Sequence, residues 1–217
     1  GAVSRYGLMA LGSSLDVIGP VTKTVTDSEI LWKAIRGQDK MDSTTYSDNI
    51  YQPRENKNKL VLGVPYHILE KGLNANVRKN FDESIKKLKS LGYEIKDIKL
   101  PNIEYSLAVY YIIQPAEASS NLSRFDGVKY GLHIDGDNLL SDYLKTRGQG
   151  FGKETRRRIL IGTYVLSAGY HDAYYNKAIN LRQTISKDFE KAFEEVDAIL
   201  TPTTAGPAFK IGEKAND

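Results

Sequence analysis

The chain has 217 residues, 41% of them hydrophobic, which is enough for a substantial core in one large domain or one and a half ordinary ones. Its 30 Lys and Arg residues exceed its 27 Asp and Glu residues by only 3, so the overall charge is too weak to indicate nucleic-acid binding. The lack of cysteine excludes disulfides and thiolate metal sites and fits a cytoplasmic protein, and no apolar run approaches the roughly 20 residues of a membrane span.

The first helix is predicted directly after a capping pattern. In TDSE at residues 26–29, the Thr26 hydroxyl can accept a hydrogen bond from the amide of Glu29 while the Glu29 carboxylate reaches back. Apolar residues at helical spacing follow, and Gly37 is placed to end the helix in a left-handed conformation. Residues 38–59 are polar and predict a long surface connection.

A strand–helix–strand unit is predicted over residues 60–98. The continuous apolar run LVLGVP at residues 60–65 is typical of a buried strand. Apolar residues then recur every three or four positions from Val77 to Leu91, which indicates one buried face of a helix. Gly92 ends this helix, and YEIKDI at residues 93–98 follows as a second strand. The most economical arrangement of the two strands is parallel and right-handed.

A helix with a proline inside it is predicted next. Residues 105–122 have a helical pattern, but Pro115 must kink or interrupt the helix because its ring removes an amide donor and clashes with the preceding turn. The polar stretch over residues 135–149 is expected to be mobile.

The last part of the chain predicts one long helical segment and one strand. The helical pattern covers residues 150–197, and Gly169 is expected to bend or split it. Residues 196–201 then form a further buried strand, which Pro202 ends.

Three consecutive arginines, Arg156–Arg158, precede the apolar run at residues 159–161. A solvated patch is the ordinary interpretation of a charge run. Here the apolar run indicates a helix that is covered on most sides, and three side chains about 100° apart cannot all point away from that cover. We expect Arg158 to be enclosed, because its face continues through residues that leave room for a guanidinium and a bound partner: Gly162, Val165 and Gly169. A fixed fork of donors in such a pocket suits a carboxylate.

The serine pair Ser13-Ser14 is the first candidate nucleophile in the chain. It lies beside Gly12, as catalytic serines often do, but a serine needs a base to attack a carbonyl. No histidine or lysine is near it in the sequence, and no G-x-S-x-G elbow surrounds it. The sequence therefore favours a polar loop ahead of a helix.

The sequence predicts neither a metal site nor a nucleotide site. The three histidines, His67, His133 and His171, are far apart and show no zinc-binding spacing. No glycine-rich phosphate-binding motif is present either.

Four segments occur in the same order as in a known family and together span nearly the whole chain. They are VSRYGLMALGSSLDVIGPVTKTVTD, YYIIQPAEASSNLSRFDGVKYG, GFGKETRRRILIGTYVLSAGYHDAYYNKA and DAILTPTT. With them the chain resembles the amidase signature family, and within it the A subunits of bacterial glutamyl-tRNA(Gln)/aspartyl-tRNA(Asn) amidotransferases. The parts EASSNLSRFDG and RRRILIGTYVLSAGY are the most specific and separate these subunits from generic amidases.

The resemblance implies the C-terminal part of an amidase-signature α/β/α sandwich with a mixed sheet. Residues 1–217 would form a partial amidase domain that lacks the catalytic signature segment and the extreme C-terminus. In that family a serine nucleophile, a second serine next to a cis peptide and a lysine base lie ahead of the VSRYG stretch, which places all three upstream of Gly1. No catalytic residue is therefore assigned in this chain, and Ser13-Ser14 is similar to a structural loop that follows the signature segment.

The resemblance also implies about half of a glutamine pocket. The family holds the α-carboxylate and α-amine of glutamine with an arginine in the segment matching RRRI, a tyrosine in the segment matching VYYII, and an aspartate further on. By register the first two correspond to Arg158 and Tyr110, with Arg157 and Tyr111 as one-residue alternatives. The aspartate is expected shortly beyond Asp217.

The activity implied for the parent enzyme is hydrolysis of glutamine to glutamate and ammonia through an acyl-serine intermediate. The ammonia passes to a B subunit, which uses ATP and magnesium to activate a misacylated tRNA, and a small C subunit braces the pair. Most tRNA contacts belong to the B subunit. The resemblance thus implies a cytoplasmic chain with no cofactor, metal or membrane contact of its own and, in isolation, no activity.

Two alternatives stay open at this level. The chain could belong to another amidase-signature hydrolase that acts without tRNA or partners, although EASSNLSRFDG argues against this. It could also be a non-catalytic α/β binding module, because the strand–helix–strand unit at residues 60–98 is found in many small-molecule binders.

Overall fold

The structure is a computed structural model that describes residues 1–47, 60–129 and 131–214. These residues contain six α-helices and three strands, in the order α1 (Val25–Ile35), β1 (Val61–Val64), α2 (Ala75–Ser90), β2 (Glu94–Asp97), α3 (Ser106–Asn121), α4 (Leu139–Gly150), α5 (Lys153–Leu166), α6 (Lys177–Glu195) and β3 (Ala198–Ile199). Short 3₁₀ turns follow β1 and flank α3, and a π-helical turn, His171–Asn176, precedes α6. Within the described part of the chain, no helix is both long and apolar enough to cross a bilayer.

The chain forms two compact units. The described residues of the first unit lie within 1–47 and 108–179, and those of the second unit lie within 60–107 and 180–214. The first unit is helical, and the second contains the three strands together with α2 and most of α6.

The strands form a parallel sheet in the order β2-β1-β3. Leu62 of β1 is in register with Ile95 of β2 on one side and with Ala198 of β3 on the other. The parallel strand–helix–strand unit predicted from residues 60–98 is therefore confirmed. The third strand is shorter than predicted, and these three strands show no antiparallel member of the mixed sheet that the resemblance implies.

Side chains that alternate along β1 give the second unit its layers. Val64 belongs to one apolar cluster together with Ile85 of α2, while Val61 packs against another cluster that contains Ala192 of α6. Because residues three apart on a strand point to opposite faces, α2 and α6 cover opposite faces of the sheet. Gly63 lets Ile98 approach the sheet closely, since a Cβ there would lie 3.0 Å from an Ile98 methyl group. This is the helix–sheet–helix layering expected of the fold.

The cap of α1 differs from the prediction. The N-cap is Thr24, not Thr26, and its hydroxyl accepts from the amide of Asp27 at 3.1 Å. Thr24 has the extended backbone (φ −130°, ψ 156°) that an N-cap needs, and α1 already begins at the next residue, so Thr26 lies inside the helix. Gly37 follows the helix with φ +146°, a region that favours glycine, as expected.

Two stretches of the first unit are helical where the sequence predicted a disturbed helix or a mobile segment. Pro115 does not interrupt α3, which continues through it, and a kink at this residue stays a prediction. Its ring is fully buried, so packing compensates the lost amide donor. The stretch predicted to be mobile contains α4, which begins where the side chain of Asn138 accepts from the amide of Ser141 at 3.0 Å.

The split of the long helical segment is confirmed. α5 ends at Leu166, and Gly169 has φ +84° in the turn that follows, a conformation that a side chain would strain. The predicted polar connection at residues 38–59 lies partly outside the described residues. In its described part, turns are fixed by Asp39, whose carboxylate accepts from the amide of Met41, and by Asp42, whose carboxylate accepts from the amide of Thr44.

Candidate functional site

The structure brings Arg158 of α5 into contact with Tyr110 of α3. The Nη1 atom of Arg158 donates to the Tyr110 hydroxyl oxygen at 3.0 Å and to Oε1 of Gln114 at 2.6 Å. Its Nε atom donates to Oε1 of Glu154, one turn earlier on α5, at 2.8 Å. We call these four side chains the Arg158 cluster. All four belong to the first unit.

The carboxylate of Glu154 is shared by two arginines. Glu154 accepts from Arg157 and from Arg158, and these two hydrogen bonds, that with Arg157 first, lower its pKa to about 2. The pKa of Arg158 is raised, chiefly by the hydrogen bond to Tyr110 and next by that to Glu154. One carboxylate between two guanidinium groups leaves a net positive charge at this surface.

Arg158 is the enclosed member of the arginine run, as predicted, although one of the two reasons given for that prediction is wrong. Its side chain is 24% exposed, compared with 55% for Arg157. The helix is not covered on most sides, however, because Leu160 is 71% exposed. An apolar residue type alone does not show that a helix face is buried.

A close approach of two helices encloses Arg158. Gly162, one turn after Arg158, is buried and lies directly against the backbone carbonyl of Pro115. A Cβ atom at Gly162 would overlap that carbonyl oxygen and lie 2.8 Å from the Cβ of Ser119. The glycine therefore lets α5 approach α3 at this point, and Arg158 meets the side chain of the residue before Pro115, Gln114.

Gln114 is the member that the sequence analysis missed. It is only 4% exposed, and its Nε2 atom has no hydrogen-bond partner among the described residues. Its position within the apolar run YYIIQPA gives no periodic or motif signal for a polar contact. The one available signal is that an uncharged polar residue there must find a partner if it is buried.

The cluster can recognise an anionic group. Within the described residues, Arg158 uses Nε and Nη1 on protein acceptors, and no protein acceptor occupies Nη2. Because the Tyr110 oxygen accepts from Arg158, its own proton is available to a further acceptor, and Tyr110 is 42% exposed. A guanidinium edge beside a phenol O–H suits a carboxylate.

The one-residue alternatives occupy a different arrangement. Arg157 donates from Nε and Nη2 to Glu154 at 2.7 and 2.8 Å, and Tyr111 stacks edge-on to Tyr110 at a centroid distance of 5.3 Å. The geometry thus pairs Arg158 with Tyr110, as the register proposed. The substrate-binding role of either arginine stays a prediction.

The Ser13-Ser14 loop is tied to α3 by a carboxylate. Both the hydroxyl and the amide of Ser14 donate to Glu117, the amide at 3.0 Å. The carbonyl of Ser13 accepts from the guanidinium of Arg5. The Asp16 carboxylate accepts from the amides at the start of the loop, those of Leu11 and Gly12. These contacts match the loop predicted from the sequence, and they give Ser14 a carboxylate partner instead of a histidine or lysine base.

The first residues of the chain are held against the segment that surrounds α1. The carbonyl oxygen of Gly1 accepts from the amide of Tyr46 at 3.2 Å, and that of Ala2 accepts from the amide of Gly37 at 2.9 Å. These contacts fix the backbone at the point where the catalytic signature segment is expected to precede the chain. None of the described residues tests that expectation, so a catalytic triad upstream of Gly1 stays a prediction.

These features define an α/β protein with a three-layer helix–sheet–helix unit and a helical unit in which an arginine and a tyrosine from separate helices are in contact. The chain belongs to the amidase family: the family model described as Amidase matches residues 1–217. The resemblance drawn from the sequence is confirmed at this level.

Similar proteins indicate which members of the amidase family this chain resembles. The chain is 52% identical to the A subunit of glutamyl-tRNA(Gln) amidotransferase from Thermodesulfovibrio yellowstonii, over all of this chain and 46% of that protein. It is 50% identical to the protein of the same name from Thermotoga maritima, over 98% of this chain and 46% of that protein. The chain thus spans about half the length of the curated relatives it matches.

Solved structures support the same fold. The crystal structure of the A subunit of glutamyl-tRNA(Gln) amidotransferase from Thermotoga maritima matches with a TM-score of 0.68 and 42% identity, over 98% of this chain and 42% of that one. A crystal structure described as an amidase matches with a TM-score of 0.69 and 27% identity, over 98% and 41% of the two chains. The predicted amidase-signature fold class is confirmed.

Proposed function

We propose that the chain is part of the glutamine-hydrolysing A subunit of a tRNA-dependent amidotransferase. The enzyme would release ammonia from glutamine for the conversion of Glu-tRNA(Gln) to Gln-tRNA(Gln) and, in a wider form of the proposal, of Asp-tRNA(Asn) to Asn-tRNA(Asn). Support comes from relatives about 50% identical over the whole chain that carry the name of this component. The two more specific segments, EASSNLSRFDG at residues 117–127 and RRRILIGTYVLSAGY at residues 156–170, agree with it.

The observation that carries the site assignment is the hydrogen bond between Arg158 and Tyr110. Two residues proposed from separate segments of the sequence, 48 positions apart, meet at 3.0 Å. In the proposal, the Nη2 edge of Arg158 and the hydroxyl proton of Tyr110 bind the α-carboxylate of glutamine. This contact orients the substrate amide toward the nucleophile and does not itself break a bond.

In the proposal, the chemical steps are carried out by groups outside this chain. The catalytic serine, the second serine and the lysine base would lie in the signature segment upstream of Gly1, so that the 217-residue chain alone is inactive. ATP and magnesium would bind to a B subunit, which also makes most contacts with the misacylated tRNA, and a C subunit would brace the assembly. A cytoplasmic location follows from this role.

Reconstitution tests the proposal. The full-length enzyme component that contains this sequence is assembled with and without B and C subunits, and ammonia release from glutamine and amidation of Glu-tRNA(Gln) are measured. The proposal predicts that the A and B subunits co-purify and that amidation needs both of them, ATP and glutamine. Amide hydrolysis that is fully retained without partners, together with no amidation, would support a different amidase-signature hydrolase. Absence of both activities in the complete assembly would support a binding module.

A further inference from the structure

Gln114 holds the guanidinium of Arg158 from the buried side. It follows Tyr110 by one turn on α3, so both side chains reach the same nitrogen, Nη1. The two contacts differ in surroundings, because Gln114 is 4% exposed and Tyr110 is 42% exposed. The contact with Gln114, at 2.6 Å, is therefore the one that water competes with least.

The orientation of the Gln114 amide is dictated by Arg158. A guanidinium has only donors, so the carboxamide must present its oxygen to Nη1 and direct its nitrogen away. That nitrogen is buried and has no partner among the described residues, which is unfavourable. A methionine of similar length would fill the same space without an unpaired donor. Packing alone therefore does not account for the amide.

The combination of contacts fixes the plane of the guanidinium. Glu154 holds Nε and Gln114 holds Nη1, and these two atoms lie at different corners of the group. Two fixed corners define the position of the third, Nη2, which has no acceptor among the described residues. Gln114 does this without a charge, so the net positive charge of the cluster is retained for an anion.

We propose that Gln114 is a positioning residue that fixes the guanidinium of Arg158 and thereby sets the affinity of the site for the substrate carboxylate. The proposal rests on the proposed function, because the carboxylate is that of glutamine. Removing the Gln114 oxygen leaves Nη1 with only the exposed Tyr110 contact, and Nη2 then samples orientations that do not bind the carboxylate. A carboxylate at position 114 would instead fix the arginine but cancel the positive charge.

The test compares Gln114→Met, Gln114→Glu and a matched control, Gln149→Met, which changes an exposed glutamine on α4. Glutamine KM and kcat are measured in the full-length enzyme, and thermal stability and the ¹⁵N NMR signal of the Arg158 Nε–H group are measured in the 217-residue chain. Gln114→Met should raise KM about 3- to 10-fold with kcat nearly unchanged, because binding is lost through poorer preorganisation. It should also broaden or shift the Arg158 signal without lowering the melting temperature.

The remaining outcomes distinguish a positioning role of Gln114 from a purely structural role, and both from an error in the assignment of Arg158 to glutamine. Gln114→Glu should keep the Arg158 signal sharp but raise KM at least as much, and Gln149→Met should change nothing. An unchanged Arg158 signal in Gln114→Met, or a rise in KM that occurs only with a lower melting temperature, overturns the positioning role. If the signal changes while neither Gln114→Met nor Arg158→Ala alters KM, positioning stands and the assignment of Arg158 to glutamine fails.

Discussion

Gly162 of α5 lies directly against the backbone carbonyl of Pro115 of α3, with no room for a Cβ atom between them. This contact lies one turn from Arg158 and next to Gln114, so it determines where the two helices place the polar groups of the Arg158 cluster. The candidate site thus depends on a glycine that carries no chemistry of its own.

The first prediction concerns this glycine. Gly162→Ala should separate α5 from α3 and lower the free energy of unfolding by about 1–3 kcal/mol, as overpacking does in other cores. The measurement is urea unfolding of the 217-residue chain. Gly148→Ala on α4 is the matched control, because a Cβ there has no neighbour within 4 Å, and it should be neutral or stabilising by about 0.4–1 kcal/mol. Equal effects of the two substitutions would contradict the close approach.

The second prediction decides the register of the arginine run. In the full-length enzyme, Arg158→Ala should raise the glutamine KM roughly 10- to 150-fold, because a charge-assisted carboxylate contact contributes about 1.5–3 kcal/mol. Lysine should not restore it fully, since it lacks the fork of donors. Arg156→Ala, at an exposed position on the same helix, is the control and should leave KM unchanged. A rise in KM in Arg157→Ala but not in Arg158→Ala would move the site by one residue.

The sequence predicted the helices and strands better than it predicted the contacts between side chains. The periodic runs predicted α2 and the parallel pairing of β1 with β2, because burial of one face leaves a regular pattern. It missed α4, whose exposed leucines and polar residues show no such pattern, and it placed the cap of α1 two residues late. Thr24 and Thr26 are equally suitable N-cap residues by sequence. The N-cap is the one at which the backbone changes from extended to helical, and the sequence does not show where that happens.

The candidate site was predicted only in part, for a related reason. Tyr110 came from the resemblance to a family, and Arg158 came both from that resemblance and from its place in the arginine run. The buried partner, Gln114, carries no periodic or motif signal. A contact between residues 44 positions apart depends on how α3 and α5 pack, and that packing depends on Gly162. Sequence patterns report which face of a helix is apolar, but they do not report which two helices approach most closely.

The third prediction concerns pH. The pKa of Glu154 is lowered from its ordinary value of 4.5 to about 2 by hydrogen bonds from Arg157 and Arg158. A lowered carboxyl pKa contributes stability that is fully present above the ordinary pKa and is lost as the pH falls toward about 2. Urea unfolding at several pH values should therefore show Glu154→Gln less stable than the native chain above pH 4.5, with the difference shrinking in acid. Glu104→Gln, outside the cluster, is the control. A difference between Glu154→Gln and the native chain that does not change with pH would contradict the lowered pKa.

The fourth prediction concerns the serine loop. The amide and the hydroxyl of Ser14 donate hydrogen bonds to Glu117. Ser14→Ala removes the hydroxyl contact, so it should loosen the loop without removing a nucleophile. Loss of a catalytic serine reduces kcat on the order of 10⁶-fold, whereas Ser14→Ala in the full-length enzyme should stay within about tenfold of the native rate. The 217-residue chain itself should release no ammonia from glutamine. Release that Ser14→Ala abolishes would make Ser14 the nucleophile after all.

The last prediction concerns an exposed aromatic surface on the first unit. Tyr164, Tyr170 and Tyr174 lie with ring centroids 4.3 to 6.3 Å apart, and each is between 41% and 49% exposed. Leu160, one turn before Tyr164 on α5, is 71% exposed and extends this surface. Contiguous apolar surface of this kind is usually covered in the functional state.

The 217-residue chain should therefore self-associate through these four side chains. Sedimentation velocity should show a mass that rises with concentration, and a dye that binds apolar surface should fluoresce with the native chain. Leu160→Glu should weaken both effects, because it puts a charge into the patch. Leu144→Glu is the matched control, since Leu144 is similarly exposed, at 66%, but lies on α4. A monomer at every concentration, with no dye binding and a sharp cooperative melt, would show that this surface is tolerated in water. Equal effects of the two glutamate variants would show that association is not specific to the aromatic patch.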